Sequence, residues 1–358
     1  MVILHLAAIQ KNPFSGVCAV VPQHVNAQQA FATVALVNLN VEVENVENQF
    51  VCKDVYDIKN LPSPFNTPNL VVFHDVYQPS YLKIFKYLKS VRIPYVIIPH
   101  GCLTTEAQKK KWLKKKVANF LLFNRFINGA EAIQCLSERE MESTHFGKHK
   151  FVGTNGIHIP TERKTSFRTD VTKFAYIGRL EAHIKGLDLL LDAVKEIADF
   201  MRENNAALNL YGPDYQGWFA NVENMIAERA IGDIVTLYPA VLGEEKKAIL
   251  LDADVFIQTS RTEGMPMGIL EALSYGLPCL VTEGTTLGPF VSQNKAGWSC
   301  ETDASKIAEA MRAAIQEKET WTQKSDRARH SVSEQFAWER VADSAVQKYI
   351  NIIEFCQT

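Results

Sequence analysis

The stretch from Ser260 to Pro278 decides the fold; its sequence is Ser-Arg-Thr-Glu-Gly-Met-Pro-Met-Gly-Ile-Leu-Glu-Ala-Leu-Ser-Tyr-Gly-Leu-Pro. The run before it, Ala253 to Thr259, is almost continuously apolar, which is typical of a strand buried on both faces of a parallel sheet. Gly276 followed by Pro278 indicates the end of a helix. The sequence therefore predicts a buried strand, a tight loop and a short helix.

The loop and the start of this helix are predicted to bind an anion. Gly264 and Gly268 let the backbone approach a ligand closely, and Pro266 suits the first helical turn, where a missing N–H is harmless. The uncapped amides of Met267, Gly268 and Ile269 are expected to point at a ligand above the sheet. Helix N-termini favour phosphate, so a phosphate group is the expected anion.

Two glutamates, Glu263 on the loop and Glu271 in the helix, flank the predicted anion site with seven residues between them. Glu271 lies one helical turn or more below the phosphate end, where it is placed to accept hydrogen bonds from a sugar hydroxyl. Glu263 lies nearer the anion and suits a neutral, hydroxyl-rich group. The alternative is an ordinary strand-to-helix turn with two glutamates facing solvent.

This Glu-x7-Glu loop and helix, followed by Gly-Leu-Pro, resembles the signature of the retaining glycosyltransferases of family 4, the group 1 glycosyl transferases of the GT-B superfamily. The resemblance implies an α/β fold of two facing, Rossmann-like, doubly wound domains with a cleft between them. It implies transfer of a sugar, with retention, from a UDP- or GDP-linked donor to a hydroxyl of a glycan or lipid-linked glycan. It implies no catalytic metal and no cofactor beyond the donor substrate.

The length of 358 residues and the alternation of strand-like and helical runs favour two domains with parallel sheets. We expect an acceptor-side domain over residues 1–160, to which a C-terminal helix at about 338–358 returns, and a nucleotide-sugar domain over residues 170–335. Residues 1–155 contain 17 Lys and Arg against 11 Asp and Glu, whereas the remainder contains 21 against 29. The expected acceptor half is thus the basic half.

The cysteines and the start of the chain bear on its location. The seven cysteines are scattered and form no Cys-x-x-Cys pair, so neither a disulfide framework nor a zinc site is indicated. The first residues resemble a strand rather than a signal peptide, and no apolar run approaches the roughly 18 residues of a membrane span. We expect a cytoplasmic protein whose membrane contact, at the inner face, is peripheral.

Arg179 and Lys185 are the predicted diphosphate-binding cations of the second half. Arg179 ends a strand and Lys185 precedes a helix, so both charges are expected to converge above the sheet, where they would stabilise a leaving diphosphate. The Gly-Arg-Leu and Lys-Gly-Leu segments around them are similar to the diphosphate-binding pair of the family. A surface salt bridge is the alternative. Asp252-Ala253-Asp254 matches a metal-binding Asp-x-Asp motif only superficially, because it precedes a buried strand.

In the first half, two short apolar strands each end in a histidine, His74 and His100, where open α/β sheets bind ligands. The resemblance implies that His100 binds the transferred sugar near its 6-hydroxyl; a packed structural histidine is the alternative. His74-Asp75 either lines the acceptor cleft or caps the next helix. The resemblance also assigns Gly16 a phosphate contact, with a plain strand-to-helix connection as the alternative.

The segment Lys109 to Lys116 carries six lysines and Trp112. It predicts a basic amphipathic helix that contacts anionic lipid head groups, with a solvated helical face as the alternative. Nucleic acid is not an expected partner, because no recognised binding motif accompanies the lysines.

Two other functions are compatible with the same pattern. One is a nucleotide-sugar epimerase or hydrolase on the same fold, and the other is a non-catalytic partner subunit of a glycosyltransferase complex. A nicotinamide dehydrogenase is disfavoured, because no Gly-x-Gly-x-x-Gly sequence follows the first strand.

Overall fold

The computed structural model describes residues 1–12, 14–109, 112–168 and 170–357, which form two compact units. The first unit contains Met1–Gly156 and the C-terminal segment from Trp338, and the second contains Ile157–Ala337. Residues 157–160 group with the second unit because the Ile157 N–H donates to the Phe336 carbonyl (2.7 Å) and Arg329 donates to the Pro160 carbonyl.

The first unit is a parallel sheet covered by helices. Its strands are β1 (Val2–Ala7), β2 (Thr33–Asn38), β3 (Gln49–Val51), β4 (Leu70–His74), β5 (Tyr95–Ile98), β6 (Ala132–Cys135) and β7 (Lys150–Val152). Its helices are α1 (Gly16–Gln28), α2 (Val55–Lys59), α3 (Pro79–Ser90), α4 (Thr105–Lys109), α5 (Trp112–Ala118), a π-helical turn (Asn119–Phe123), α6 (Asn124–Asn128) and α7 (Glu138–Ser143). Over the described residues the strand order is β3-β2-β1-β4-β5-β6-β7.

The second unit repeats this plan. Its strands are β8 (Thr172–Ile177), β9 (Ala206–Tyr211), β10 (Val235–Tyr238), β11 (Val255–Gln258), β12 (Cys279–Thr282) and β13 (Gly297–Cys300). Its α-helices are α8 (Ala182–Lys185), α9 (Leu187–Glu196), α10 (Ala198–Glu203), α11 (Trp218–Glu228), α12 (Gly243–Asp252), α13 (Met267–Ser274), α14 (Gly288–Gln293), α15 (Ala304–Gln316) and α16 (Trp321–Phe336). The strands pair in the order β10-β9-β8-β11-β12-β13. The final helix, α17 (Trp338–Gln357), belongs to the first unit.

The predicted α/β class with two doubly wound sheets is confirmed, since every named strand pair in both sheets is parallel. The strand order reverses between β1 and β4 in the first sheet and between β8 and β11 in the second. Ligands of open α/β sheets bind beside the carboxyl ends of the strands at such a reversal. Two candidate positions for a site follow, one in each unit.

The central strands form the core because their side chains are apolar on both faces. All four residues of β5 and of β11 are buried, as expected for strands covered by helices on each side. None of the helices in the described ranges combines the length and the apolar composition that a bilayer span requires.

Gly156, the last residue of the first unit before the chain enters the second, packs directly against α17. A Cβ at Gly156 would lie 2.5 Å from the Cδ2 and Cε3 atoms of Trp338. The indole is 1% exposed and donates a hydrogen bond from Nε1 to Gln23 Oε1 (2.8 Å), so the ring has little freedom to move. This contact excludes any side chain at position 156.

We therefore expect Gly156→Ala to lower the free energy of unfolding by about 1–3 kcal/mol, the usual cost of forcing an extra group into a packed site. Urea denaturation followed by tryptophan fluorescence measures the change. Gly232→Ala is the matched control, because the nearest atom to its Cβ, Ile226 Cγ2, is 3.9 Å away. Equal stability of the two variants would contradict the packing described for Trp338.

Candidate functional site

The candidate site of the second unit lies where β8 and β11 end. The two strands pair through Val255 with Phe174 and Phe256 with Ala175, and because they are parallel the chain leaves both at the same edge of the sheet. Residues 178–187 follow β8, and residues 259–268 follow β11. These are the two segments in which the sequence predicts diphosphate binding.

A close backbone contact holds the two segments together. Gly186 has a left-handed conformation (φ +64°), and a Cβ there would lie 2.0 Å from the Thr259 carbonyl oxygen. The Thr259 hydroxyl in turn donates to the Gly186 carbonyl (3.0 Å). Only glycine permits this approach without strain. The contact fixes Lys185, the last residue of α8, beside the loop that carries Glu263.

Glu263 forms a partly buried ion pair with Lys185. Its Oε1 accepts hydrogen bonds from Lys185 Nζ, from Gln258 Nε2 (2.9 Å) and from the Ser260 hydroxyl (2.8 Å). The two charged side chains are 11% exposed (Lys185) and 14% exposed (Glu263). Its backbone N–H donates to the Gly284 carbonyl (3.0 Å), which fixes the loop. The structure therefore brings these two predicted site residues into direct contact and positions the carboxylate rigidly.

The start of α13 differs in detail from the prediction. The helix begins at Met267, and Pro266 is its N-cap rather than a residue of its first turn. The Ile269 N–H donates to the Pro266 carbonyl (3.1 Å). The prediction that this amide is free to bind an anion is therefore wrong. Within the described chain, the amides of Met267 and Gly268 have no acceptor and remain available, as the first amides of a helix are.

Glu271 forms an ion pair that the sequence did not predict. Lys246 of α12 donates to its Oε2, and the side chains are 22% (Lys246) and 27% (Glu271) exposed. The two residues lie on successive helices, and no motif in the sequence connects them. Each of the two predicted carboxylates thus has a lysine partner.

Arg179 is the more exposed of the two predicted cations. Its side chain is 51% exposed, and its Nη1 lies 3.6 Å from Glu181 Oε2. Such an exposed, loosely aligned pair contributes little to stability.

Arg261, which the sequence did not single out, binds Asp188 through two hydrogen bonds of 2.6 and 2.8 Å and secures the loop before Glu263.

The Asp-x-Asp sequence at 252–254 serves a structural role. Asp254 is fully buried, accepts a hydrogen bond from the Lys173 N–H (2.9 Å) and lies 3.5 Å from the buried Lys164 Nζ. Asp252 binds Arg168 and Lys173. In the described ranges, no three His, Cys, Asp or Glu side chains are grouped as a metal site requires.

In the first unit, the histidines after β4 and β5 belong to a hydrogen-bonded row that begins on β1. His5 Nδ1 lies 2.8 Å from His74 Nε2, and His74 Nδ1 lies 3.0 Å from His100 Nε2. His5 Nε2 faces Gln28 Oε1 at 3.0 Å. His5 and His74 are buried, and His100 at the end of the row is half-buried. The sequence predicted His74 and His100 as strand-end residues but not their connection.

These contacts also decide the alternatives for His74-Asp75. His74 is 1% exposed, so it presents little surface to a ligand. Asp75 accepts a hydrogen bond from the Val76 N–H (2.6 Å), and the N-cap of α3 is Gln78. Of the two alternatives for this pair, the helix cap is therefore wrong.

Burial keeps these histidines neutral. It lowers the pKa of His5 and of His100 to about 3 and that of His74 well below its ordinary value. Burial lowers the pKa of His24, which binds Asn155 Oδ1 (3.0 Å), to about 4. Between pH 6.5 and 4 the unfolded chain binds protons that the folded protein does not bind, so stability falls as the pH falls.

His24→Gln tests this linkage. Relative to the wild type, the variant should lose about 3 kcal/mol less free energy of unfolding between pH 7 and pH 4, because one depressed histidine no longer titrates. Urea denaturation at several pH values measures the difference. An identical pH dependence in His24→Gln and the wild type would contradict the effect of burial.

Gly16, predicted to contact phosphate, is the first residue of α1 in the first unit. The Ser15 hydroxyl caps the helix by accepting from the Cys18 N–H (3.5 Å). Apart from its chain neighbours and the backbone of α1, no heavy atom of the described residues lies within 4 Å of the position that a Cβ at Gly16 would occupy. The space beside the helix start is therefore open.

The lysine-rich segment presents apolar side chains together with its charges. Lys110 and Lys111 lie outside the described residues. From α5 into the π-helical turn, six large apolar side chains are at least half exposed: Trp112, Leu113, Val117, Phe120, Leu121 and Leu122. All of these except Leu122 border a cavity of about 940 Å³, to which Lys109 and Lys116 also contribute. We call this the apolar-basic surface.

Comparison with known proteins agrees with the architecture. A solved structure of sucrose-phosphate synthase from Thermosynechococcus elongatus superposes with a TM-score of 0.72 at 15% identity, covering 98% of this chain and 99% of that one. The Anabaena protein Alr3699/HepE, solved in complex with UDP and glucose, gives a TM-score of 0.72 at 16% identity, covering 98% and 100%. The chain has the GT-B fold.

Comparison of the sequence also finds glycosyltransferases. Residues 159–331 match the family model of glycosyl transferases group 1. WcaL of Escherichia coli K12, named as a colanic acid biosynthesis glycosyltransferase, is 28% identical over 139 residues, which are 37% of this chain and 33% of WcaL. The chain thus aligns with about one third of the length of this relative. The matched region of the GT-B chain includes the whole of the Lys185–Glu263 site.

Proposed function

We propose that this protein is a retaining glycosyltransferase of family 4, which transfers a sugar from a UDP- or GDP-linked donor to a hydroxyl of a glycan or lipid-linked glycan. The observation that carries the proposal is the Lys185–Glu263 pair at the strand-order reversal of the second sheet. At this edge of the sheet, the Lys185 ammonium group and the Glu263 carboxylate are held in place, and the amides of Met267 and Gly268 follow in the same loop and helix.

In this proposal, Arg179 and Lys185 bind the donor diphosphate, helped by the amides of Met267 and Gly268. Their positive charge stabilises the negative charge that develops as the bond between the sugar and the diphosphate breaks. No metal ion is needed for this role. When the donor binds, Lys185 either leaves Glu263 and pairs with the diphosphate, or pairs with both. Gly16 supplies a further phosphate contact from the first unit.

The carboxylates and His100 orient the rest of the donor. Glu271 accepts hydrogen bonds from the ribose, Glu263 from hydroxyls of the transferred sugar, and His100 binds the sugar near its 6-hydroxyl. Buried acceptors discriminate strongly against ligands that lack the matching hydroxyl, because such ligands leave them unpaired.

The proposed reaction is a displacement on the face of the sugar that carries the leaving group. The acceptor hydroxyl forms the new bond to the anomeric carbon, the bond to the diphosphate oxygen breaks, and the leaving phosphate takes the acceptor proton. Glu263 Oε1 already accepts three hydrogen bonds, which makes it a poor nucleophile. A covalent glycosyl-enzyme trapped at Glu263 would contradict this step.

The relatives support the substrate classes. The Alr3699/HepE structure contains UDP and glucose, which supports a nucleotide-sugar donor. WcaL is named for colanic acid biosynthesis, and we take a glycan as the acceptor class on that basis. These relatives favour neither an epimerase or hydrolase nor a non-catalytic partner subunit.

Donor binding gives the first test. One nucleotide sugar from a panel of UDP- and GDP-linked hexoses should raise the midpoint of thermal unfolding, because a ligand that binds only the folded protein stabilises it. Lys185→Ala and Glu271→Ala should each weaken this binding about tenfold or more. Differential scanning fluorimetry over a donor titration measures the effect.

The control for this test is Lys195→Ala, which removes an exposed lysine of α9 in the same unit. It should bind the donor as the wild type does. If no donor stabilises the protein, or if Lys185→Ala and Lys195→Ala bind equally well, the site proposed here is wrong.

We further propose that the apolar-basic surface attaches the protein to an anionic membrane. The π-helical turn buries Asn119 and Phe123 but leaves Phe120, Leu121 and Leu122 exposed side by side. Lys116 and Lys109 border the same surface. Apolar residues that enter the lipid boundary, flanked by lysines that face anionic head groups, are the features of interfacial binding. A cytoplasmic protein at the inner face of the membrane would use this surface.

The variant Phe120→Ser/Leu121→Ser should therefore bind anionic vesicles at least tenfold more weakly than the wild type, because two large apolar side chains no longer enter the bilayer. Co-sedimentation with phosphatidylcholine vesicles, with and without phosphatidylglycerol, measures the binding. Tyr56→Ser, at another exposed aromatic of this unit, is the control. Equal binding to neutral and anionic vesicles would rule out the role of the lysines.

A further inference from the structure

A row of polar groups crosses the first unit and ends at His100. Starting from the backbone, its members are the Gly153 carbonyl, Gln134, Tyr349, Gln28, His5, His74 and His100, and hydrogen bonds join all neighbours in the row except Tyr349 and Gln28. Every side chain before His100 is buried. The row connects the end of β7, α17, α1 and the first strands of the sheet, and the proposed reaction assigns a role only to His100.

The Gly153 carbonyl sets the direction of the first hydrogen bonds. A carbonyl oxygen only accepts, so the group facing it at 2.9 Å must be Nε2 of Gln134. Oε1 of Gln134 then faces the Tyr349 hydroxyl and accepts its proton. Tyr349 has no second proton, so it presents only a lone pair to the next member of the row.

That next member is Gln28. Burial raises the pKa of Tyr349, and the Gln28 amide lowers it, as a hydrogen-bond donor beside the hydroxyl does. Within the described chain, however, Gln28 Nε2 makes no hydrogen bond of its own, so the direction of the next hydrogen bonds is set by the Gln28 oxygen. The oxygen of the same amide then faces His5 Nε2 at 3.0 Å.

The direction of the hydrogen bond between His5 and Gln28 determines the direction of the two hydrogen bonds between the histidines. Because Gln28 Oε1 accepts, His5 carries its proton on Nε2 and has a bare Nδ1. His74 therefore donates from Nε2 to His5 Nδ1, and His100 donates from Nε2 to His74 Nδ1. Each neutral imidazole has one proton, so His100 is left with a bare Nδ1. Nothing in the described part of the chain donates to that nitrogen.

We propose that Gln28 Oε1, acting through His5 and His74, fixes His100 as the tautomer with a bare Nδ1, so that His100 accepts a hydrogen bond from a substrate hydroxyl. Gln28 is a positioning residue in this arrangement. The identity of the hydroxyl, the 6-hydroxyl of the donor sugar, rests on the proposed function. Reversal of the three histidines would remove the proton from His5 Nε2 and leave two buried acceptors, Gln28 Oε1 and His5 Nε2, facing each other without a donor.

Nuclear magnetic resonance tests the tautomers directly, without any substrate. In the ¹⁵N-labelled wild-type protein at pH 7, long-range ¹H–¹⁵N correlation spectra should show His5, His74 and His100 protonated at Nε2. Protonation of His100 at Nδ1 would overturn the proposal. This measurement needs no variant and no knowledge of the reaction.

The variant Gln28→Leu tests whether Gln28 determines the tautomer of His100. Without the amide oxygen, a proton on His5 Nε2 would be buried and unpaired, so the row should reverse and place the His100 proton on Nδ1. Gln29→Leu, which changes the adjacent glutamine outside the row, should leave the His100 tautomer unchanged. An unchanged His100 tautomer in a folded Gln28→Leu protein would also overturn the proposal.

The consequence for the substrate is measured with UDP-glucose and its 6-deoxy-6-fluoro analogue, in which fluorine cannot donate. The wild type should discriminate against the analogue about tenfold in kcat/KM, and Gln28→Leu should lose most of this preference, whereas Gln29→Leu keeps it. Unaltered discrimination in Gln28→Leu would contradict the role in specificity. If UDP-glucose is neither bound nor transferred, the proposed function fails for this donor, and the tautomer spectra alone decide the proposal for the row.

Discussion

The pairing of β8 with β11 is the contact on which the candidate site depends. These strands are far apart in sequence, and their parallel alignment brings Lys185 and Glu263, which are 78 positions apart, to one edge of the sheet. Reversal of the strand order at this pair means that the helices leave to opposite faces and the edge between them stays open. The glycine contact at Gly186 and the loop bond from Glu263 to Gly284 then fix the charged groups within this opening.

The charges of the proposed site suit an anionic ligand that replaces a carboxylate as the partner of a lysine. Glu263 is paired with Lys185, so the lysine proposed to bind the diphosphate is already held at the edge of the sheet. A buried charge that loses its partner is costly, and under the proposal a phosphate takes the place of the carboxylate, so Lys185 stays paired. Arg179, the second proposed cation, is half exposed and only loosely paired with Glu181. Under the proposal, one cation is therefore fixed by the loop and the other is exposed.

The sequence predicted those features that lie within a short stretch of chain. The buried run at β11, the loop glycines and the positions of Glu263, Arg179 and Lys185 all follow from local pattern. The lysine partner of Glu271 and the hydrogen bonds behind His100 do not, because Lys246, Gln28 and His5 are brought there only by tertiary packing and have no periodic or motif signal. The amide of Ile269 was misassigned for a similar reason: its acceptor depends on where the helix begins, and a shift of one residue at Pro266 changes it.

Hydrogen–deuterium exchange with UDP tests most directly the claim that a nucleotide diphosphate binds at the β8–β11 edge. The account predicts that UDP slows exchange in the peptides covering residues 178–187 and 261–270, because the diphosphate pairs with Lys185 and engages the first amides of α13. Peptides of α11, on the outer surface of the same unit, should exchange at an unchanged rate. Bound UDP that protects neither segment would contradict the placement of the donor site and the roles assigned to Arg179, Lys185 and Glu263.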